Sequence, residues 1–422
     1  MVAVLHRSMP DKPLKDWLDR LESRHPVEIE LGLERAAAVA DELGVLVPHI
    51  HTFAIAGTNG KGSVAAVLTA ALVAAGYRVG TYTSPHLLRF NERIQVDGEM
   101  VDDGFIVAAF EAVEKARKDI SLTYFETATL AALWIFHQKG VTQQVLEVGL
   151  GGRLDAVNIV DADISIITSI GLDHTDWLGD SRELIAVEKA GIARRGRPCI
   201  VADADPPKTL FTALSSLGSR AQFVERDWQI RGGRLTTVEG LTLALPEPSG
   251  LLPANVGAAL QAIESSGLTG LTDALLTAVS AVTLTGRLTT FEINEVSVIL
   301  DVAHNTESVA RLVEFLGQKS NARSTRAIFG VMGDKPVRDM ISACGDIFDD
   351  WSAVDLCHIP RAMSVDHLVS EIGAARVTAM GPFSQVWTAV LQRCRPGDRV
   401  VIFGSFHTVA EALGLLTQHR DI

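Results

Sequence analysis

The chain has 422 residues and a formal net charge of −13 at pH 7. It is long enough for two or three domains of about 100–200 residues, and acidic enough to repel a nucleic-acid backbone overall, so no nucleic-acid partner is expected. Its four cysteines, Cys199, Cys344, Cys357 and Cys394, include no CxxC pair, which argues against a disulfide framework or structural zinc and fits a reducing compartment.

The stretch from Met1 to Pro13 has no long apolar run of the signal-peptide kind. The uncharged segment between Lys61 and Arg78 is shorter than the roughly 20 residues of a membrane span. A soluble cytoplasmic protein with no membrane partner is expected. Leu14, Trp17, Leu18 and Leu21, spaced i, i+3, i+4, i+7, predict an amphipathic helix, and a second helical pattern covers Leu33 to Leu43 and ends at Gly44. Thr52–Ala56 reads as a buried strand. It runs into a Gly-rich turn and then a helix with Val64, Val67, Leu68, Ala71 and Leu72 on one face, stopped by Gly76. Arg78–Thr83, Gln144–Val148 and Asp163–Ile170 are further strand candidates separated by helical segments, the pattern of a mostly parallel sheet covered on both faces.

From about Pro206 to Leu245 the pattern weakens, with Gly232-Gly233 as a hairpin-like turn, and helical character returns after Pro253. Near Gly286 the organisation restarts, with strands predicted at Val296–Val302, Arg326–Val331, Trp351–Leu356 and Arg399–Phe403. Two α/β domains of unequal size are expected. Residues 1–288 would form a P-loop ATPase-type parallel-sheet domain, and 289–422 a smaller Rossmann-like α/β domain.

The strongest chemical signal is Ala56-Gly57-Thr58-Asn59-Gly60-Lys61-Gly62-Ser63. It follows a predicted strand and opens a predicted helix, the context of a phosphate-binding loop. Glycines let backbone N–H groups approach phosphate oxygens, the helix N-terminus adds partial positive charge, Lys61 supplies a mobile cation and Ser63 a hydroxyl. Gly62 separates lysine from hydroxyl, so the loop departs from the common G-x-x-x-x-G-K-[ST] form and does not by itself select kinase, motor or ligase.

In this loop the sequence resembles the folylpolyglutamate synthase and dihydrofolate synthase family of Mur-type ligases. Further blocks match in order: Thr83-Ser84-Pro85-His86-Leu87, Leu122-Thr123-Tyr124-Phe125-Glu126, Leu146-Glu147-Val148-Gly149-Leu150-Gly151-Gly152-Arg153-Leu154-Asp155, Gly171-Leu172-Asp173-His174-Thr175, Glu188-Lys189-Ala190-Gly191, Gly286-Arg287, Asp301-Val302-Ala303-His304-Asn305 and Phe403-Gly404-Ser405-Phe406-His407-Thr408. They span nearly the whole chain.

The residues support parts of this independently. Glu147 ends a predicted strand, where open α/β sheets place ligands, and a carboxylate there can hold Mg²⁺ or be a buried structural group with a partner. Ser84 reads equally as a turn residue before Pro85; the resemblance makes it a metal ligand. His174, an unusual donor for magnesium, is implied to hold a second ion. Lys189 beside Glu188 reads as a surface ion pair, whereas the resemblance implies that CO₂ converts its amine to a carbamate, which needs a buried, neutral amine. By resemblance Asn255, Arg287 and Asp301 line ATP. Arg287 offers a cationic fork for phosphate, or a linker salt bridge.

The pterin side is implied to be Ile29-Glu30-Leu31, Thr123-Tyr124-Phe125-Glu126 and Leu154-Asp155-Ala156, an aromatic beside a carboxylate being suited to a flat heterocycle with N–H donors. Periodicity alone would place Tyr124 and Phe125 in the core. His304 and Ser405 are implied to handle glutamate. Glu30 stands where the family usually has Asp, and Thr306 where it usually has Pro.

The implied reaction is ATP-dependent ligation of L-glutamate to dihydropteroate and to the tail of reduced folates, by a monomer whose partners are small molecules. The rivals are a folylpolyglutamate synthase alone, a ligase of cell-wall precursors, and a P-loop nucleotide switch that needs no acceptor acid. A dinucleotide oxidoreductase is disfavoured, because Gly149-x-Gly151-Gly152 lacks the G-x-G-x-x-G spacing.

Overall fold

The structure, a computed structural model, describes residues 13–25, 29–47, 49–248, 250–319 and 322–418. The chain divides into two compact units: residues up to 170 with 178–248 and 252–282, and 171–177 with 249–251 and 283 onward.

In the first unit eight strands form one sheet: β1 (His51–Ala56), β2 (Val79–Tyr82), β3 (Ile94–Val96), β4 (Glu99–Met100), β5 (Gln143–Glu147), β6 (Ile164–Ile167), β7 (Pro198–Val201) and β8 (Arg220–Phe223), in the order β4-β3-β2-β5-β1-β6-β7-β8. β2, β5, β1, β6, β7 and β8 are parallel, and β3 and β4 extend one edge antiparallel. The central strands are buried along their length, as expected for a sheet covered on both faces. Leu14, Trp17 and Leu21 of helix Leu14–Arg24 pack with Phe110, Leu133 and Phe136. A separate cluster of Ile167, Ile185, Leu210, Leu214 and Phe223 holds the β6–β8 side. Helix Glu34–Leu43 stops where expected, because Gly44 takes the left-handed conformation at φ 64° and its N–H caps Ala40 and Asp41 carbonyls. Gly232 and Gly233 turn β9 (Gln229–Arg231) into β10 (Arg234–Thr236), and β11 (Thr242–Ala244) completes a small separate sheet.

The second unit is a six-stranded sheet in the order β12-β13-β17-β14-β15-β16, comprising β12 (Thr289–Ile293), β13 (Val296–Leu300), β14 (Thr325–Phe329), β15 (Asp350–Val354), β16 (Val377–Gly381) and β17 (Arg399–Phe403). β12 is antiparallel to β13 and the rest are parallel. The α/β class and the paired sheet domains are as the sequence predicts. The antiparallel edge strands β3, β4 and β12 and the parallel edge strand β16 are additions to that expectation: β3 and β4 are too short, and β12 and β16 too exposed, for a buried apolar run.

Candidate active site

In the first unit the strand order reverses about β1, and outside the C-terminal end of such a strand open α/β sheets place their ligands. The loop 57–60 leaves β1 there and opens helix Lys61–Ala74. Gly57 has φ 154°, and a Cβ on it would stand 1.7 Å from Thr168 Oγ1, so no other residue fits. The loop is tied down from β6 and its exit: Ser169 O accepts from Thr58 N (2.8 Å), Ser169 Oγ from Asn59 N (3.1 Å), and Thr168 Oγ1 donates to Asn59 O (2.7 Å). Lys61 Nζ folds back on the carbonyls of Gly57 (3.0 Å) and Thr58 (3.4 Å), and Ser63 is buried in the first turn. Gly60, left-handed at φ 92°, lies against the Asn255 amide, since a Cβ there would come within 2.5 Å of it. Asn255, distant in sequence, is thereby placed on the phosphate loop.

Glu147, 4% exposed at the end of β5, accepts the Ser84 amide on Oε2 at 3.1 Å, and the same oxygen lies 3.7 Å from where a Cβ on Gly62 would stand. One carboxylate and one hydroxyl beside a phosphate loop fit magnesium, which takes few protein oxygens and completes its shell with phosphate and water. His174 belongs to the second unit, held left-handed at φ 50°.

Lys189 is buried, 3% exposed, while its neighbour Glu188 pairs with Arg153 at 2.8 Å. Of this Glu–Lys pair, the glutamate makes the arginine contact and the lysine is withdrawn. The Gly149–Asp155 loop packs on the helix Arg182–Ala190 that carries both, with Gly152 close to Glu188 O and Lys189 Cα.

The three stretches assigned to the pterin are linked. Gly32 N donates to Leu154 O (3.2 Å), joining the Ile29-Glu30-Leu31 stretch to Leu154-Asp155-Ala156. Arg35 bridges Glu30, which it contacts directly, and Glu126 (3.1 Å). Glu126 and Thr123 form a reciprocal capping box on helix Tyr124–Gln138, so the Glu126 carboxylate is occupied by local structure. Phe125 covers Gly149, whose added Cβ would meet the ring at 2.5 Å, and tilts against Tyr82. Tyr124 is flanked by Phe90 and by the Arg93 guanidinium, 5.5 Å from its centroid, and Arg93 donates to His86 Nδ1 at 2.8 Å. Arg35 and Arg93 went unassigned in the sequence. Arg93 lies close enough to the Ser84-Pro85-His86 block to have been a candidate, whereas nothing marks Arg35.

Asp155 is buried and accepts N–H bonds from Leu150 (2.8 Å) and Val157 (2.9 Å). Burial raises its pKa to about 6, against the opposing pull of those N–H groups and of the Lys61 charge. A folded pKa above the unfolded value means the native state holds this proton more tightly. The stabilisation is complete below the ordinary carboxylate value and lost as pH rises through about 6. Asp155→Asn is therefore expected to flatten the fall in melting temperature between pH 4 and pH 7, as checked by thermal unfolding at fixed ionic strength.

In the second unit Asp301 follows β13, accepting from Leu288 N (3.0 Å) and Ala303 N (2.8 Å). Burial raises its pKa, opposed by the Arg287 charge. Arg287 lies over the Phe406 ring at 5.8 Å, and His304 faces the same ring at 5.9 Å. Ser405 is buried, and its Oγ accepts Thr408 N (3.1 Å), capping helix Phe406–Gln418. Thr306 begins helix Thr306–Gln318 behind its cap Asn305, the one helical position where proline and threonine serve alike, since its N–H has no helical partner.

His304 Nε2 lies 3.5 Å from Asp173 Oδ2, and Lys335 Nζ donates to Asp173 Oδ1 at 2.6 Å. Burial would raise the Asp173 pKa, but the His304 hydrogen bond and the nearby positive groups, Lys335 among them, hold it well below the usual carboxylate range. Lys335 also went unassigned in the sequence.

Residues 55–225 match the model of the Mur ligase middle domain and residues 286–406 that of the Mur ligase glutamate ligase domain. The chain is 40% identical over 421 residues to the dihydrofolate synthase/folylpolyglutamate synthase of Escherichia coli K12, covering 97% of each chain. It is 34% identical to that of Haemophilus influenzae, covering 94% of this chain and 96% of the relative. The structure of E. coli FolC in complex with DHPP and ADP superposes with a TM-score of 0.93 at 39% identity, over 97% of this chain and 99% of that one. A bifunctional folylpolyglutamate synthase/dihydrofolate synthase with Mn, AMPPNP and L-glutamate bound gives 0.90 at 38%, over 97% and 100%. The chain belongs to the dihydrofolate synthase/folylpolyglutamate synthase family of Mur ligases.

Proposed function

We propose that this protein is an ATP-dependent ligase that joins L-glutamate to dihydropteroate, giving dihydrofolate, and to the glutamate tail of reduced folates. The observation that carries this reading is the sharing of one sheet edge by several site elements of the first unit. The phosphate loop, the Ser84–Glu147 pair and the Gly149–Asp155 loop with Phe125 all lie at the C-terminal ends of β1, β2 and β5, so a nucleotide and an aromatic acid would share one sheet edge.

A carboxylate is a poor acyl donor, so the acceptor's carboxylate oxygen attacks the γ-phosphorus of ATP, ADP leaves, and an acyl phosphate results. The glutamate amine then attacks the acyl carbon, inorganic phosphate leaves with its electron pair, and the amine gives up a proton. The loop Gly57–Ser63, through the N–H groups at its helix end and the Lys61 ammonium, holds the phosphates, and Arg287 takes charge that develops during transfer. Ser84 and Glu147 would hold magnesium and His174 a second ion, supplying positive charge that would offset the charge of the phosphates. Asn255 and Asp301 face the nucleotide. The stretches Ile29–Leu31, Thr123–Glu126 and Leu154–Ala156 hold the pterin, and His304 and Ser405 orient glutamate. The buried amine of Lys189 adds CO₂ to give a carbamate and a proton, turning a cation into an oxygen donor. Residues 1–288 bind ATP and the pteridine acid, and 289–422 serve glutamate, in a cytoplasmic monomer. Among the described residues no helix is long and apolar enough to cross a membrane.

Phosphate release from ATP with magnesium and glutamate is expected only when dihydropteroate or a reduced folate is added, with a glutamate adduct by mass for each. An adduct with the reduced folate alone would narrow the activity to folylpolyglutamate synthesis. Turnover with neither acceptor would favour a nucleotide switch.

A further inference from the structure

Asp173 is a hub in the second unit. It is 9% exposed at its side chain and every oxygen is in use: Oδ1 accepts Lys335 Nζ (2.6 Å) and the N–H of His174 (2.9 Å), while Oδ2 faces His304 Nε2 (3.5 Å) and Asn305 Nδ2 (3.4 Å). Lys335 is as deeply withdrawn, 7% exposed at its side chain, and its other carboxylate contact is Asp334 at 3.3 Å. A buried ion pair of this kind is a poor source of stability, because desolvating both charges offsets their attraction, but it fixes geometry. Here the geometry is unusual. His174 stands left-handed at φ 50°, a conformation that a β-carbon disfavours and that surrounding contacts must hold. Among the contacts that hold it are its own N–H on Asp173 and the turn closed by Trp177 N on His174 O at 2.9 Å.

The geometry points to Lys335 as a positioning residue for the ligase reaction. Its ammonium pins Asp173, and Asp173 in turn sets the backbone of His174 and the ring of His304. One lysine thus orients both the imidazole proposed to hold a metal and the imidazole proposed to serve glutamate. This inference rests on the ligase reading for its consequence, but its geometry stands apart from it.

The test compares wild type with Lys335→Met and with the Lys335→Met/Asp173→Asn pair. The double variant removes both charges, so it leaves no lone buried charge of this pair if the Asp173 charge prevents the single variant from folding. Each protein is melted with AMPPNP over a titration of Mn²⁺, and steady-state rates are measured with dihydropteroate and glutamate. The Mn²⁺ concentration for half-maximal stabilisation is expected to rise about 10- to 100-fold, the usual consequence of losing a group that orients a ligand. kcat is expected to fall comparably, with KM for ATP within about twofold of wild type, a split that a general loss of structure would not give. A Mn²⁺ midpoint and kcat within about twofold of wild type, in whichever variant folds, would overturn the inference. A wild type that adds glutamate to neither acceptor would sink the ligase reading alone, and the Mn²⁺ midpoints would still decide the role of Lys335.

Discussion

Lys61→Met is expected to lower kcat by about 100- to 1000-fold, the cost of removing one preorganised charge from a transferring phosphoryl group, or about 3–4 kcal/mol of barrier. The lysine's hydrogen bonds run to the carbonyls of Gly57 and Thr58, on its own loop, so methionine, which keeps most of the stem, should leave the melting temperature almost unchanged. Arginine should not restore the rate, because a planar fork cannot replace a compact ammonium folded against two carbonyls. Phosphate release at saturating ATP and acceptor is the measurement. A fall of less than about tenfold would mean that the loop does not hold the transferring phosphate.

Gly57→Ala is expected to damage both folding and activity. Its β-carbon would overlap Thr168 Oγ1 at 1.7 Å and stand 3.0 Å from Thr168 Cβ, at a φ of 154° that L-residues rarely adopt. Thr168 cannot retreat freely, because its hydroxyl donates to Asn59 O and thereby closes the loop. Overpacking of about 1–3 kcal/mol and backbone strain of similar size together predict a loss of roughly 2–6 kcal/mol, read as an earlier urea midpoint. Nucleotide stabilisation should disappear even where the variant is folded. A wild-type midpoint with normal nucleotide binding would contradict the described loop conformation.

What the sequence discloses and what it hides follow from how far apart the partners lie. The phosphate loop is legible because its chemistry is confined to consecutive residues between a buried strand and a helix. β1, β5 and β17 are legible because both their faces are covered and their apolar runs are continuous. β3 and β12 escape notice: the first spans only Ile94–Val96, and the second is partly exposed along its length.

At the site, Gly57 and Gly60 announce themselves as glycines, but the reason for each, Thr168 and Asn255, lies far away in the chain. The Arg35–Glu126 and Lys335–Asp173 pairs are separated by 91 and 162 residues, so no spacing rule finds them. Lys189 shows a different limit. Its sequence context fits a solvated ion pair, and only folding reveals that Glu188 faces Arg153 while the lysine is buried.

On the proposed mechanism the acceptor's carboxylate is activated as an acyl phosphate before glutamate attacks it. Dihydropteroate carrying ¹⁸O in its carboxylate, turned over with ATP, magnesium and L-glutamate, tests this directly. One labelled oxygen should pass to the inorganic phosphate for each dihydrofolate formed, the other remaining in the new amide. Phosphate released without label, or without a glutamate adduct, would contradict it.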